Sequence, residues 1–225
     1  MNNKNTLIQC DFDGTITCQD QAFMILDAYA TGPWRQFLED YREDRITVGE
    51  FNRRAFALVR EDEATLVEFV GRTARLRSGF TEFIAYCRGM GLRCVIVSNG
   101  LDFYINTILK NAGISGLEVF AAHTRFNPEG IRVNYLGPDG RDIQVGFKEA
   151  YARHFLAHGY RIVYIGNGWS DIFPAQIAEH IFACDELLTL CREKTLAVVP
   201  FEDFNDVRRG LVPLIKETGS GTGPV

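Results

Sequence analysis

The amino-acid sequence predicts an α/β fold built on a parallel, Rossmann-like sheet. Five short apolar runs, rich in β-branched or aromatic residues, alternate with amphipathic segments of helical periodicity. Several of these runs are apolar on both faces, as strands buried between two helical layers are. Such alternation is typical of a parallel sheet with helical crossovers. The predicted strands are residues 6–10, 93–98, 161–166, 180–184 and 196–201.

Helical periodicity fills the intervals between these strands. Phe80, Phe83, Ile84 and Cys87 form one apolar stripe, and Gly91 follows as a stop signal. Comparable patterns predict further helices. The predicted helices are residues 79–90, 147–158, 171–179, 185–193 and 203–215. We therefore assign residues 1–18 and 77–217 to one core domain.

Residues 19–76 interrupt the alternation, because they contain helical stripes and no convincing strand. Thr47 and Glu50 have the spacing of a capping box ahead of an apolar stripe that begins at Phe51. A second helix start lies at Asp62. We predict an α-helical cap inserted after the first strand and call residues 19–76 the cap segment.

Two further segments depart from the α/β pattern. Within residues 117–136, two extended runs flank the turn sequence NPEG, which predicts a small β-hairpin. Residues 218–225 (TGSGTGPV) are rich in glycine, which is typical of a flexible tail.

The amino-acid composition indicates which kinds of partner and cellular location to expect. The 225-residue chain has a formal net charge of −5 and no long basic run, so we expect no nucleic-acid partner. No apolar run approaches the roughly 20 residues of a membrane span, and the N-terminus lacks the pattern of a signal peptide. The six cysteines contain no CxxC pair and are expected to be reduced thiols. These features predict a cytoplasmic protein; they do not indicate an oligomeric state.

Four polar clusters fall where the carboxyl ends of the parallel strands should lie. They are residues 11–15 (DFDGT, the aspartate loop), 98–100 (SNG, the serine turn), Lys148, and 166–171 (GNGWSD, the glycine loop). Each one alone has an ordinary explanation as a turn, a helix cap or a surface lysine. Ligands of open parallel sheets bind beyond the carboxyl ends of the strands. Four such clusters at one edge therefore predict a functional site.

The residue types fit phosphoryl chemistry on Mg²⁺. Asp11, Asp13, Asn167 and Asp171 supply the oxygen ligands that this hard cation prefers. One aspartate of the aspartate loop can attack phosphorus, while the other protonates the leaving oxygen and then activates water. The spacing of Asp11 and Asp13 therefore suits a nucleophile and an acid/base that face one phosphoryl group.

The remaining clusters suit an anionic substrate. The hydroxyl group of Ser98 and the backbone N–H groups near it, with Asn99 and Gly100, can hold phosphate oxygens. Lys148 can neutralise negative charge between the nucleophile and the phosphate.

The four clusters, in this order, resemble the motifs of the haloacid dehalogenase (HAD) superfamily of phosphatases. The helical insertion after the first motif is similar to the cap of its phosphoserine phosphatase-like branch. The start of the chain and its small C-terminal half are also similar to the methionine-salvage group, which acts on a methylthio-ketopentenyl phosphate. The resemblance implies that Asp11 is the nucleophile and Asp13 the acid/base. It also implies that Ser98 binds phosphate, that Lys148 stabilises charge, and that Asp11, the Asp13 carbonyl and the glycine loop bind Mg²⁺.

The resemblance further implies a Mg²⁺-dependent phosphatase that acts on a small phosphorylated metabolite through an aspartyl-phosphate. Dehalogenases of the superfamily lack the second aspartate, which this chain has at Asp13. One position departs from the family pattern, since Asn167 stands where the family has aspartate. Three interpretations follow: Asp171 suffices beside Asn167, the asparagine is an engineered trap, or the chain is a weak or inactive relative. Phosphotransfer to another acceptor and non-catalytic binding of a phosphate ligand remain the alternative functions.

Substrate choice should come from residues that face the site from the cap segment. Asp20 is expected either to meet the substrate or to cap the helix that begins at Gln21. Arg54 is expected either to clamp an anionic group of the substrate or to be a plain surface charge. Trp169, within the glycine loop, is expected to pack against the cap or the ligand, or else to plug the sheet edge.

Overall fold

One sheet carries all seven strands of residues 5–217, the part of the chain that the computed structural model describes. The strands are β1 (Thr6–Cys10), β2 (Arg93–Leu101), β3 (Glu118–Arg125), β4 (Arg132–Asn134), β5 (Arg161–Gly166), β6 (His180–Ala183) and β7 (Val199–Pro200). Their order across the sheet is β4-β3-β2-β1-β5-β6-β7. Every neighbouring pair is parallel except β3–β4. The predicted parallel α/β fold is confirmed.

Helices occupy the connections between the strands. They are α1 (Gln21–Tyr29), α2 (Trp34–Arg42), α3 (Val48–Phe56), α4 (Glu63–Thr73), α5 (Phe80–Gly89), α6 (Asp102–Asn111), α7 (Phe147–Ala157), α8 (Ile172–Ile177), α9 (Asp185–Glu193) and α10 (Phe204–Glu217). A one-turn 3-10 helix, Trp169–Asp171, precedes α8. Helix α6 was not predicted, because β2 runs directly into it. Its N-cap is Leu101, whose side chain makes no capping hydrogen bond, so the usual polar start signal is missing.

The central strand of the sheet explains where the site forms. All five residues of β1 are buried, and the strand lies between β2 and β5. Ile8 is paired with Cys94 on one side and with Val163 on the other. The aspartate loop therefore leaves the sheet at its middle, directly between the ends of β2 and β5.

The edges of the sheet differ from the sequence prediction in length. The predicted hairpin is present, since β3 and β4 pair antiparallel with His123 opposite Asn134. At the other edge, β7 contains only Val199 and Pro200, followed by one bond from Phe201 N to Ala183 O over 3.2 Å.

Helices α1–α4 all lie within the cap segment, which contains no strand longer than an isolated bridge. Their starts follow the sequence signals: Asp20, Thr47 and Asp62 each accept a backbone hydrogen bond from the first turn of α1, α3 and α4. The two connections to the core run together, with Cys18 N donating to Arg75 O over 2.9 Å. The boundaries of the cap at residues 19 and 76 stay a prediction. The predicted tail, residues 218–225, lies outside the described residues.

No helix within residues 5–217 is long and apolar enough to cross a bilayer.

Candidate active site

The aspartate loop begins as an extension of β1. Asp11 N donates to Ile165 O over 2.9 Å, and Phe12 between the two aspartates is fully buried. The chain then turns at Gly14, which has a φ of 72°. The N–H group of Ile16 closes the turn onto Phe12 O at 2.8 Å. This geometry sends the two carboxylates into different surroundings.

Asp11 and Asp171 share one buried cation. Lys148 Nζ lies 2.7 Å from Asp11 Oδ1 and 2.6 Å from Asp171 Oδ1. All three residues are at most 5% exposed. The lysine comes from the first turn of α7, whose N-cap is Gly146 in a left-handed conformation. Three of the predicted site residues are thus brought together by three separate elements of the fold.

Protonation follows from this arrangement. Burial and the charge of Asp171 raise the pKa of Asp11 to about 7, although Lys148 acts against them. Burial lowers the pKa of Lys148, but the charges of Asp11 and Asp171 outweigh it and leave that pKa above its ordinary value. Lys148 is therefore a permanent cation at neutral pH, and its charge favours the ionised form of Asp11.

Asp171 is held by four donors. Its Oδ1 accepts hydrogen bonds from Lys148 and from Tyr164 OH, the latter over 2.5 Å. Its Oδ2 accepts the N–H groups of Asn167 at 3.0 Å and Gly168 at 2.9 Å. Asp171 is fully buried, so its carboxylate fixes the shape of the glycine loop as well as the position of the lysine.

Asn167 and Asp11 are linked through a hydroxyl group. Thr15 Oγ1 lies 2.9 Å from Asn167 Oδ1 and 3.4 Å from Asp11 Oδ2. A Cβ atom at Gly14 would lie 2.3 Å from Asn167 Nδ2, so only glycine allows the aspartate loop and the glycine loop to approach this closely. Two side-chain oxygens from the two loops therefore flank one point at the sheet edge.

Asp13 belongs to a separate set of hydrogen bonds. Its Oδ1 accepts Gln21 N at 2.9 Å, and its Oδ2 accepts the hydroxyl group of Tyr104. Burial and the nearby charge of Asp20 raise the pKa of Asp13 well above its ordinary value, against the opposing effect of these hydrogen bonds. A carboxyl group in these surroundings holds its proton more readily than a solvated one does.

The serine turn lies beside Asp13. Ser98 is buried, and its Oγ accepts Gly100 N at 3.0 Å, which leaves the hydroxyl proton free to donate. A Cβ atom at Gly100 would lie 2.5 Å from Asp13 Oδ2 and 2.2 Å from Tyr104 OH. The carbonyl oxygen of Asn99 accepts hydrogen bonds from Tyr135 OH at 2.5 Å and from Asn52 Nδ2, on α3, at 2.9 Å. The cap segment therefore contacts the serine turn directly.

These groups line one cavity of about 730 Å³ between the sheet edge and the cap segment. Asp20 caps α1, accepting Phe23 N at 2.8 Å, and it also lines this cavity; its contact with the substrate stays a prediction. Burial raises the pKa of Asp20 to about 6.

Arg54 is the predicted site residue that the structure does not bring to the cavity. It pairs with Glu50 on the surface of α3, and its guanidinium lies 5.9 Å from the ring of Phe37. Asn52, two residues earlier, does line the cavity. Two helical residues are about 200° of rotation, so the two side chains occupy opposite faces of α3.

Several residues of the site carried no signal in the sequence. Arg77 donates from Nε to Thr15 O at 2.9 Å and from its two terminal nitrogens to Gly14 O at 2.5 Å and Glu202 O at 2.8 Å. Tyr164 lies in an apolar strand pattern, where a tyrosine is expected to be core. Arg77 lies at the predicted end of the cap segment, where an arginine resembles any surface charge.

A divalent cation fits the donor set formed by Asp11 Oδ2, the Asp13 carbonyl oxygen and Asn167 Oδ1. All three are hard oxygen donors, and the Thr15 hydroxyl already joins two of them. No metal-binding group of three or more His, Cys, Asp or Glu side chains exists in residues 5–217. A metal here would therefore depend on one amide and one backbone oxygen in addition to carboxylate.

This combination of fold and site defines a class of hydrolase. The family model for haloacid dehalogenase-like hydrolases matches residues 8–173. The chain belongs to that family, as its four motifs predict.

Curated relatives and solved structures support the same assignment. The chain is 33% identical over 209 residues to the 2-hydroxy-3-keto-5-methylthiopentenyl-1-phosphate phosphatase of Geobacillus kaustophilus, covering 91% of this chain and 94% of the relative. It is 34% identical over 211 residues to the protein of the same name from Geobacillus thermodenitrificans, with 91% and 94% covered. A phosphoserine phosphatase solved as a phospho-aspartyl intermediate analogue superposes with a TM-score of 0.66 at 18% identity, covering 91% of this chain and 98% of that one. At that identity the similarity shows a shared fold.

Proposed function

We propose that this chain is a Mg²⁺-dependent phosphatase that hydrolyses a phosphate monoester of a small metabolite through an aspartyl-phosphate. The observation that carries the proposal is the buried lysine between two carboxylates, with Lys148 Nζ 2.7 Å from Asp11 and 2.6 Å from Asp171. The charge of Lys148 favours the ionised form of Asp11, which is the form that a nucleophile requires.

Asp11 would form the new bond. An oxygen of its carboxylate attacks phosphorus, the P–O bond to the alcohol breaks, and the leaving oxygen takes a proton from Asp13. The raised pKa of Asp13 supports this role, because the group can hold that proton near neutral pH. In the second half of the reaction, Asp13 takes a proton from water as the water oxygen attacks phosphorus. Phosphate then leaves, and Asp11 is regenerated.

The phosphate would be held by groups on both sides of Asp11. Lys148 offers positive charge, and the Ser98 hydroxyl, which accepts Gly100 N on one lone pair, can donate its proton to a phosphate oxygen. Mg²⁺ held by Asp11, the Asp13 carbonyl and Asn167 would neutralise charge on the phosphate. Asp171, with both oxygens engaged by protein donors, would hold the glycine loop and the lysine in place.

The names of the curated relatives indicate which substrate to test first. They are named for 2-hydroxy-3-keto-5-methylthiopentenyl-1-phosphate, and more than nine-tenths of this chain aligns with them. This compound is therefore the first metabolite to test.

The test is Mg²⁺-dependent release of phosphate from this compound and from a generic aryl phosphate. We expect turnover that EDTA abolishes and that Asp11→Asn lowers by about 10⁴-fold or more. Phosphate release that persists in Asp11→Asn would contradict the proposal. Alcohol acceptors added to the assay report phosphotransfer, because the phosphate would then appear on the alcohol.

One observation favours a second candidate, a weakened or non-catalytic phosphate-binding relative. Asn167 removes one negative charge from the proposed metal ligands. Asn167→Asp separates the two functions. If only this variant turns over, the asparagine is the cause of weakness. If neither turns over and neither forms a Mg²⁺-dependent complex with beryllium fluoride, the binding function is supported.

A further inference from the structure

Trp169 is an exposed aromatic residue inside the glycine loop. The residue is 43% exposed and lines the cavity. Within residues 5–217 its ring has no aromatic or hydrogen-bonding partner, since the hydrogen bonds of Trp169 are made by its backbone, from its N–H group to Glu186 and from Ile172 N to its carbonyl. A tryptophan that plugged the sheet edge would be buried. This side chain instead presents apolar surface to the cavity, next to Asn167 and Asp171 in the sequence.

The cap segment supplies further apolar surface to the same cavity. We call Phe23, Leu38, Tyr41, Val48 and Phe51 the cap wall, because all five line the cavity. The ring of Phe51 is stacked on Tyr41 with centroids 6.1 Å apart, and it meets Phe23 edge-on at 6.2 Å. Phe51 is only 3% exposed, so this surface is fixed by packing within the cap segment.

Charge is distributed unevenly around the cavity. Asp11, Lys148 and Asp171 form its base, while the cap wall is apolar. Glu186 of α9 lines the cavity beside Trp169, whose backbone N–H it accepts at 3.2 Å, and two charged residues of the cap segment also line it. Asp20 is engaged in capping α1, and Arg42 is the exposed last residue of α2. The surface available beyond the phosphate position therefore suits an uncharged group better than an anionic one.

We propose that Trp169 is a specificity-determining residue that, with the cap wall, binds an uncharged apolar end of the substrate's alcohol, such as a short alkyl or thioether chain. This inference rests on the proposed phosphatase function and concerns the same cavity. It places substrate recognition on the loop that also carries Asn167, so the loop serves both the phosphate and the group attached to it.

A series of n-alkyl phosphates from ethyl to hexyl tests the inference by kinetics. In the unmodified chain, kcat/KM should rise about three- to fourfold for each added methylene until the cavity is filled. Trp169→Ala should flatten this rise, and Trp169→Phe should keep most of it. The backbone bonds of the glycine loop do not involve the indole, so the loop is expected to keep its shape.

Phe173→Ala is the matched control. Phe173 lies four residues further on, is 49% exposed and does not line the cavity. It should leave the chain-length dependence unchanged. The inference is overturned if the unmodified chain shows no such dependence or if Trp169→Ala and Phe173→Ala behave alike. It is also overturned if phosphates ending in a carboxylate are preferred, which would indicate Arg42 as the recognition group.

A binding measurement keeps the inference testable without turnover. The chain has two tryptophans, so Trp34→Phe leaves Trp169 as the only indole. With Mg²⁺ present, hexylphosphonate should shift its emission to shorter wavelength, whereas methylphosphonate should not. A chain that releases no phosphate but shows this shift would refute the proposed function and support the apolar site. Absence of the shift would overturn the inference, whether or not the chain is an active phosphatase.

Discussion

The two faces of the cavity are built on different principles. On the core face, every charged oxygen of Asp171 has identified donors, and Lys148 lies within 2.7 Å of two carboxylates. On the cap face, aromatic rings pack against one another, as in the pair of Phe23 and Phe51 with centroids 6.2 Å apart. On the core face, hydrogen bonds and ion pairs hold individual charged atoms in position, whereas on the cap face side-chain packing determines the shape of the cavity.

This difference suggests that the core face carries out the reaction, while the cap face determines which substrates bind. Charged groups at strand ends are positioned by the sheet, so their geometry changes little with the side chains around them. The two faces are joined by hydrogen bonds from Gln21 N, on α1, to Asp13 Oδ1 and from Asn52, on α3, to the carbonyl of Asn99. Changes on the core face should therefore affect turnover strongly, and changes on the cap face should mainly affect which substrates are accepted.

Among variants that keep both aspartates of the aspartate loop, the largest effect is expected from Lys148→Met, which removes the cation shared by Asp11 and Asp171. Two buried carboxylates would lose their partner, so kcat should fall by about 10³-fold and the free energy of unfolding by about 3 kcal/mol. Phosphate release and urea unfolding measure the two effects. Lys110→Met, an exposed lysine in the last turn of α6, is the control and should change stability by less than about 0.5 kcal/mol. A Lys148→Met variant with normal activity would show that turnover does not depend on this core-face cation.

Arg77→Ala tests whether the aspartate loop must be held from outside. The variant loses the hydrogen bonds to Gly14 O and Thr15 O, and a small displacement of the loop should lower kcat roughly 10- to 100-fold. Guanidinium ion added to the assay should restore part of the rate, which a loss of folding would not allow. Arg75→Ala on the same connection is the control, since the guanidinium of Arg75 donates to the carbonyls of Arg72 and Ala74 in its own segment, and the backbone bond from Cys18 N does not depend on the side chain. Equal losses in both variants would show that the effect is not specific to the loop.

Asn167→Asp sharpens the account of the metal site. Restoring one negative charge beside Asp11 should lower the Mg²⁺ concentration for half-maximal activity about tenfold. Titration of activity with Mg²⁺ measures this, and Asn111→Asp, an equal charge change on an exposed residue at the end of α6, is the control. A half-maximal Mg²⁺ concentration that does not move would indicate that position 167 is not a ligand.

The smallest effect is expected on α3, where Asn52 and Arg54 offer a matched pair. Asn52→Ala removes the contact with the serine turn and should cost about 1–2 kcal/mol of stability and a few-fold in kcat/KM. Arg54→Ala, on the outer face of the same helix, should leave kcat/KM unchanged. A rise in KM confined to Arg54→Ala would restore the substrate-binding role that the sequence suggested for Arg54.

The sequence predicted the site residues of the core face better than those of the cap face. Asp11, Asp13 and Ser98 lie at the ends of parallel strands, where a local pattern determines the position in space, and Lys148 lies in the first turn of α7. The placement of Arg54 could not be decided in the same way, because two adjacent arginines on α3 differ only in helical phase. The bonds of Arg77 and Tyr164 join residues far apart in the chain, so no local pattern indicates them.

Helix α6 illustrates the same limit within the fold. Its start lacks a capping side chain, since the chain passes from β2 at Leu101 directly into the helix. Tyr104 of this helix nevertheless donates a hydrogen bond from its hydroxyl group to Asp13. Because the start of α6 was not predicted, Tyr104 was not recognised from the sequence as a partner of the proposed acid/base, Asp13.

The most direct measurement is to identify the residue that carries the phosphoryl group. Asp13→Asn, mixed with Mg²⁺ and p-nitrophenyl phosphate, should still be phosphorylated, because this leaving group needs no proton from an acid. It should then hydrolyse slowly, because no base activates water. After acid quench and proteolysis, we expect one phosphoryl group on the peptide that contains Asp11. Asp11→Asn should show none. A phosphoryl group on any other residue, or no phosphorylated peptide in an actively hydrolysing chain, would show that Asp11 is not the nucleophile.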